Sequence, residues 1–244
     1  MLTGDIQETL RKMTIPMILG LIMLMTFGLV DTFFVSLIGT NQLAAISFTF
    51  PVTFTVISLN IGLGIGTSAV IGRLFGQNQF AEAKITATSA LMTVFALVGS
   101  LCFVGYHTIP LIFSWLGADE ALIPFIYDYM SIWYFAGVLL AIPMIGNSVL
   151  RAAGDTKSPS MIMASGGAIN ALLDPLLIFG WGPVPALGIK GAAIATAIAW
   201  GVGVIWILLL LQKRALMTPR LLSFKEYKAQ LMTPRLLSFK EYKA

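Results

Sequence analysis

The sequence predicts an all-α, polytopic membrane protein with six transmembrane helices. Three observations carry that expectation. The chain of 244 residues is 57% hydrophobic and only 11% charged, whereas soluble domains carry about 25% charged residues. Its mean hydropathy is +0.89, and its apolar stretches are continuous runs rather than the alternating pattern of a barrel. Lys and Arg gather in alternate connections between those runs, as helical membrane proteins require.

The apolar runs place spans at roughly 13–38, 44–71, 85–106, 122–147, 160–181 and 188–212. Each holds the ~20 residues needed to cross a bilayer core. Residues 1–12 are polar, with Arg11 and Lys12 before the first run, and no small-residue cleavage pattern follows. The first span therefore reads as a retained helix and not a signal peptide. Pro16, Pro51, Pro143 and Pro175 fall within or near spans, where neighbours or water can satisfy the freed backbone groups.

The connections fix the orientation. Fourteen of the fifteen Lys and Arg residues, from Arg11 through Arg73, Lys84, Arg151, Lys157, Lys213 and Arg214 to the tail, fall on one side, and only Lys190 falls on the other. The positive-inside rule then predicts both termini in the cytoplasm of a multi-pass plasma (inner) membrane protein. That distribution also accounts for the net charge of +4 without nucleic acid as a partner. The lone Cys102 lies in an apolar run, so there is no disulfide framework.

The chain divides into a six-helix transmembrane unit, residues 1–215, and a basic cytoplasmic tail, residues 216–244. In the tail, LMTPRLLSFKEYKA occurs at 216–229 and again, unchanged, at 231–244. An exact duplication is unlike natural divergence and reads as an artefact of cloning, assembly or gene rearrangement. One copy has the character of a basic amphipathic segment lying on the inner membrane surface. Within the spans, Gly62 with Gly66, Ala199 with Gly203, and the patch Ser165–Ala168 supply small residues at the spacing that lets helices approach.

The polar residues within the spans point to function. Asn170 and Asp174, four apart, share a helix face, and Pro175 frees the carbonyl of Ala171 beside them. An ionisable residue inside a span is costly and marks a functional site by default. A second acid, Asp31, lies about seven residues from the outer end of its span, as does Asp174, which puts both about 10 Å below the outer surface. Tyr129 and Thr196 come to the same level by the same count, and Asn170 one turn deeper. Two carboxylates, an amide and a hydroxyl in one hydrated pocket could take up protons or coordinate Na⁺, and so couple an ion gradient to movement.

Four stretches resemble the multidrug and toxic compound extrusion (MATE) family of secondary transporters: VDTFFVSLIG at 30–39, GRLFGQNQFAEAK at 72–84, GNSVLRAAGDTKSP at 146–159 and NALLDP at 170–175. The resemblance runs in order over about residues 5–215. It implies one six-helix lobe, the N-terminal one, of a twelve-helix antiporter that exports organic cations or drugs in exchange for protons or sodium. It further implies that Asp31 binds the coupling cation, that Asn170, Asp174 and Thr196 are its partners, and that Tyr129 and Asn147 belong to the supporting network. The coupling ion would be H⁺ or Na⁺, with no cofactor and no catalytic residue, and the lobe would need a C-terminal lobe or a second copy.

Three other readings compete. A lipid-linked precursor flippase of the same superfamily would carry more basic residues in its cavity, and no Lys or Arg lies mid-span here. A truncated, non-transporting lobe is the second. An intramembrane aspartyl protease would also use two membrane aspartates, but those enzymes place them in Tyr-Asp and Gly-x-Gly-Asp, whereas Asp31 follows Val30 and Asp174 follows Leu173.

Overall fold

In a computed structural model, residues 6–218, 222, 223, 226 and 227 are described. The chain forms seven helices: α1 (Ile6–Ser36), α2 (Thr40–Gly76), α3 (Phe80–His107), α4 (Ile109–Trp115), α5 (Ile123–Ala152), α6 (Lys157–Phe179) and α7 (Ile189–Lys213). Among the described residues there is no strand beyond a single bridge between Trp181 and Val184. α2, α3, α5, α6 and α7 are long and apolar enough to cross a membrane, and α1, at 31 residues, is the sixth long helix. The chain is a helical, multi-pass membrane protein.

The six long helices overlie the six expected spans. The seventh, α4, falls in what the sequence suggested was a plain connection, 107–121. Pro110 sits in its first turn, where a missing N–H costs nothing, and its apolar Ile109 and Phe113 are fully buried. Gly117, at φ +85°, ends the turn in the left-handed region that glycine adopts without strain.

α5 is the hub. It packs most extensively on α7 and α2 and also on α3, while α1 lies mainly on α6. A methyl at Gly146 would stand 2.3 Å from Ile207 of α7, and one at Gly105 would stand 2.5 Å from the ring of Tyr134, so these hydrogens are what allow the helices to meet so closely. The expected Gly62/Gly66 seam is a correction. A methyl at either would meet nothing within 4 Å, whereas one at Gly64 would come within 2.7 Å of Ser148 Oγ. The buried stripe of α2 runs through Ala45, Thr49, Val56, Asn60, Gly64 and Ile71. At ~100° per residue, Gly62 and Gly66 sit well off that stripe. The Ala199–Gly203 pair does pack: Ala199 is buried, and Gly203 lies near Pro143 of α5.

Large exposed aromatics stand at the ends of α4 and α6, as at a membrane interface. Trp115 at the end of α4 and Trp181 just beyond α6 are both 80% exposed. Phe50 and Phe54 stack on the exposed face of α2, with centroids 5.6 Å apart.

Of the tail, only 216–218, 222, 223, 226 and 227 are described, so the expected amphipathic segment lies largely outside the described residues, as does all of the second copy. The described part turns back onto α3. The Thr218 amide and hydroxyl both lie within bonding distance of Thr88 Oγ1, at 2.9 and 3.0 Å, and the Tyr227 hydroxyl lies 2.9 Å from Thr93 Oγ1.

Candidate functional site

α6 brings the central residues together. Asn170 and Asp174 stand one turn apart on its buried face, and both are fully buried. The Asn170 amide nitrogen donates to Asp174 Oδ1 at 3.2 Å and to Thr196 Oγ1 of α7 at 3.3 Å. Thr196 is buried because α7 passes close to the C-terminal end of α6. A methyl at Gly191 would lie 2.4 Å from the Leu177 carbonyl oxygen, and the amides of Leu187 and Gly188 donate to the carbonyls of Leu177 and Ile178.

Asp31 of α1, 8% exposed, lies within electrostatic range of Asp174. Tyr129 of α5, also buried, lies within range of both acids. Four helices thus converge on one small polar volume.

The bonding within it is lopsided. Asp31 Oδ1, Asp174 Oδ2 and Asn170 Oδ1 are buried and accept no hydrogen bond. Buried polar oxygens are normally satisfied, so three unsatisfied acceptors together call for an explanation. Asn170 spends its N–H groups on its neighbours and keeps its oxygen free. The set therefore offers acceptors without donors, which suits a positive charge and repels an anion. Its oxygens are hard ligands, fitting H⁺ or Na⁺ rather than a soft transition metal. Among the described residues no group of three or more His, Cys, Asp or Glu could hold a metal ion; the oxygen set here mixes carboxylates with an amide and a hydroxyl.

The MatE family model matches residues 16–176, more than half of the chain. The chain belongs to the MatE family. It is 48% identical over 200 residues to a protein of Shewanella oneidensis named FAD transporter, covering 82% of this chain and 44% of that protein. It is 31% identical over 177 residues to a protein of Bacillus subtilis named probable multidrug resistance protein YoeA, covering 72% of this chain and 38% of that one. Its fold is similar to that of the Vibrio cholerae MATE transporter VcmN in the bent form, with a TM-score of 0.84, 33% identity, and coverage of 92% of this chain and 51% of that one. The chain spans about half the length of the relatives it matches. MatE proteins are membrane transporters and not enzymes, and the protease reading falls with that.

Within this MatE lobe the structure does not bring Asn147 to the cluster. Asn147 lies eighteen positions beyond Tyr129 on α5, about 27 Å along the axis at 1.5 Å per residue. It is buried with an unpartnered Oδ1 of its own. Three features escaped the sequence reading. Asn60 is fully buried on α2, donating to the Val56 carbonyl while its oxygen accepts nothing. Its signal was a lone amide in the apolar run from Val56 to Ile65. Asp128, beside Tyr129, pairs with Lys190 at 3.1 Å, joining α5 to the first turn of α7. At the opposite end, Asp155 accepts the amides of Lys157 and Ser158 at 3.1 and 3.0 Å and pairs with Arg214. Burial pushes the Asp155 carboxyl up, but the bonds from Ser158 and Lys157 and the Arg214 charge outweigh it and hold the group below the usual carboxylate range.

Proposed function

We propose that this chain supplies the ion-binding lobe of a secondary active exporter, with Asp31, Asn170, Asp174 and Thr196 holding the coupling H⁺ or Na⁺ and Tyr129 at the edge of that site. One observation carries the reading: three buried acceptor oxygens at the meeting of α1 and α6 have no donor. A bound cation supplies the missing positive charge. Such an ion binds from one side and leaves on the other, and each charge carried across 100 mV yields about 2.3 kcal/mol for moving cargo. The alternating-access motion needs one helical bundle to rock against another. Because the chain spans about half of its relatives, the working unit joins this lobe to a second one, from continuing chain or a second copy. The Lys and Arg distribution supports a plasma-membrane protein with both termini on the cytoplasmic side.

Two cargo classes fit. Organic cations and drugs follow from the family resemblance. Flavin dinucleotide follows from the 48% identity to the protein named FAD transporter, a larger likeness than that to the multidrug proteins. Vesicles loaded with either FAD or a cationic dye, given an imposed proton or sodium gradient, distinguish the two. The test of the ion site is Asp31→Asn and Asp174→Asn in the transporting unit. Each is expected to reduce gradient-driven efflux to the level of empty vesicles. Wild-type efflux from both variants would place the coupling site elsewhere.

A further inference from the structure

Arg151 lies in the last turn of α5 and is half-buried. Its Nη2 donates to Ser148 Oγ at 2.7 Å. That hydroxyl, itself buried, donates to the Met144 carbonyl at 3.0 Å, and it has room there because Gly64 of α2 carries no side chain. The guanidinium is thus turned back along α5 and pinned. It has five N–H donors, yet among the described residues it bonds only this neutral hydroxyl. Asp155, the nearest acid along the chain, is occupied by the amides of Lys157 and Ser158 and by Arg214. A partly buried cation with no partner of opposite sign is costly.

The surroundings add positive charge. Ile207 and Leu211 of α7 lie against Gly146 of α5, so the last turns of α7 and α5 stand side by side. Exposed Lys213 and Arg214 therefore reach the same end of the bundle as Arg151, and the turn from α5 to α6 brings exposed Lys157 there. On these three helix ends, four cations accompany one carboxylate, Asp155. We propose that the junction of the ends of α5, α6 and α7 is a phosphate site, with Arg151 as its anchor and Lys157 and Lys213 at its rim. Basic sites between helix ends suit acidic phospholipid headgroups, and a pinned guanidinium offers a phosphate two parallel N–H bonds. The phosphate can come from such a headgroup or from solution. The site is independent of the transport reading and is the converse of the acid cluster, where buried oxygens lack donors. Arg151 is twenty-two positions beyond Tyr129 on α5, about 33 Å along the axis.

Two measurements on the full chain separate the sources. In the first, nanodiscs of phosphatidylcholine hold a small fraction of phosphatidylglycerol, and the phosphatidylglycerol retained after transfer to detergent is counted by native mass spectrometry. In the second, melts in phosphatidylcholine alone are titrated with inorganic phosphate at constant ionic strength. Arg151→Gln is expected to weaken binding about tenfold, through loss of charge-assisted bonds. A response in the lipid measurement alone assigns the site to a headgroup, and a response in the phosphate measurement alone assigns it to a soluble ligand. Arg151→Lys keeps the charge but loses the fork. It should bind at an intermediate level, and it carries the test if Arg151→Gln does not fold. Arg73→Gln removes an exposed cation in the last turn of α2, at the same end of the bundle, and should change binding by less than about twofold. Two results would overturn the proposal. One is no binding in either measurement that the Arg151 variants weaken. The other is an Arg73→Gln loss as large as that of Arg151→Gln, which would leave only diffuse surface charge.

Discussion

Asp174 and Asp155 are both withdrawn from solvent and are opposite in character. Asp155, just before α6, has partners for both oxygens: two helix amides on one and the Arg214 guanidinium on the other. Asp174, in the C-terminal half of α6, has one oxygen bonded to a neutral amide and the other bonded to nothing. The first carboxylate holds the start of α6 in place. The second is left incomplete by the fold, with a buried oxygen that accepts nothing. Asp174 is the more deeply buried of the two, yet it is the one with fewer donors. Asp128 is a third case, half-exposed and paired with Lys190.

The largest expected effect tests the incomplete side. Asn170→Leu keeps the volume but removes both the amide donor to Thr196 and the free oxygen. Cation affinity should fall by about 10–100-fold, as when a ligand's supporting partner is lost. Titration calorimetry with Na⁺, or proton release on binding, reads this. An unchanged affinity would take Asn170 out of the site.

Stability should move in opposite directions for the two acids. Asp155→Asn weakens the amide contacts and the ion pair and should lower stability by about 1 kcal/mol, leaving ion binding intact. Asp174→Asn removes an unsatisfied buried carboxylate and should leave the melting temperature equal or higher while ion binding is lost. Because the Asp155 carboxyl is held below its usual range, its contribution is complete above about pH 4. It disappears as pH falls through the lower folded-state value, and Asp155→Asn should remove that acid limb. Thermal melts in detergent from pH 2 to 7 show both effects. If Asp174→Asn melts lower than Asp155→Asn, the contrast fails.

The smallest effect belongs to the intermediate case. Lys190→Gln breaks an exposed pair and should change stability by under about 1 kcal/mol, with the loss diminishing further in high salt. A larger loss would mean that the pair fastens α5 to α7 structurally.

Much of this was legible in the sequence. The six long helices followed from apolar run length, and the Asn170–Asp174 pairing followed from a spacing of four. Thr196 was found by counting depth from the ends of spans, and its bond to Asn170 is the kind of contact such a count can anticipate. What was hidden depended on how the helices are rotated about their axes. Gly62 and Gly66 have the spacing of a packing seam, yet Gly64 makes the contact, because no residue near them announces which face turns inward. Asn147 was assigned to the network through resemblance, and axial distance along α5 separates it. α4 was missed because seven residues between two turns carry too little periodicity to distinguish a short helix from a connection. The Asp128–Lys190 pair joins two elements far apart in sequence, which local spacing cannot reveal.

The close approach at Gly191 sets where α7 stands against α6. The hydrogen at that position lets the start of α7 rest against the Leu177 carbonyl, and five residues later Thr196 arrives within reach of the Asn170 amide. The distance between Asn170 and Thr196 is therefore set by a contact between two backbones, at a glycine that bears no charge. The spacing of the lobe's buried polar groups is set as a machinist sets a gap, by the thickness of a shim rather than by the shape of the jaws.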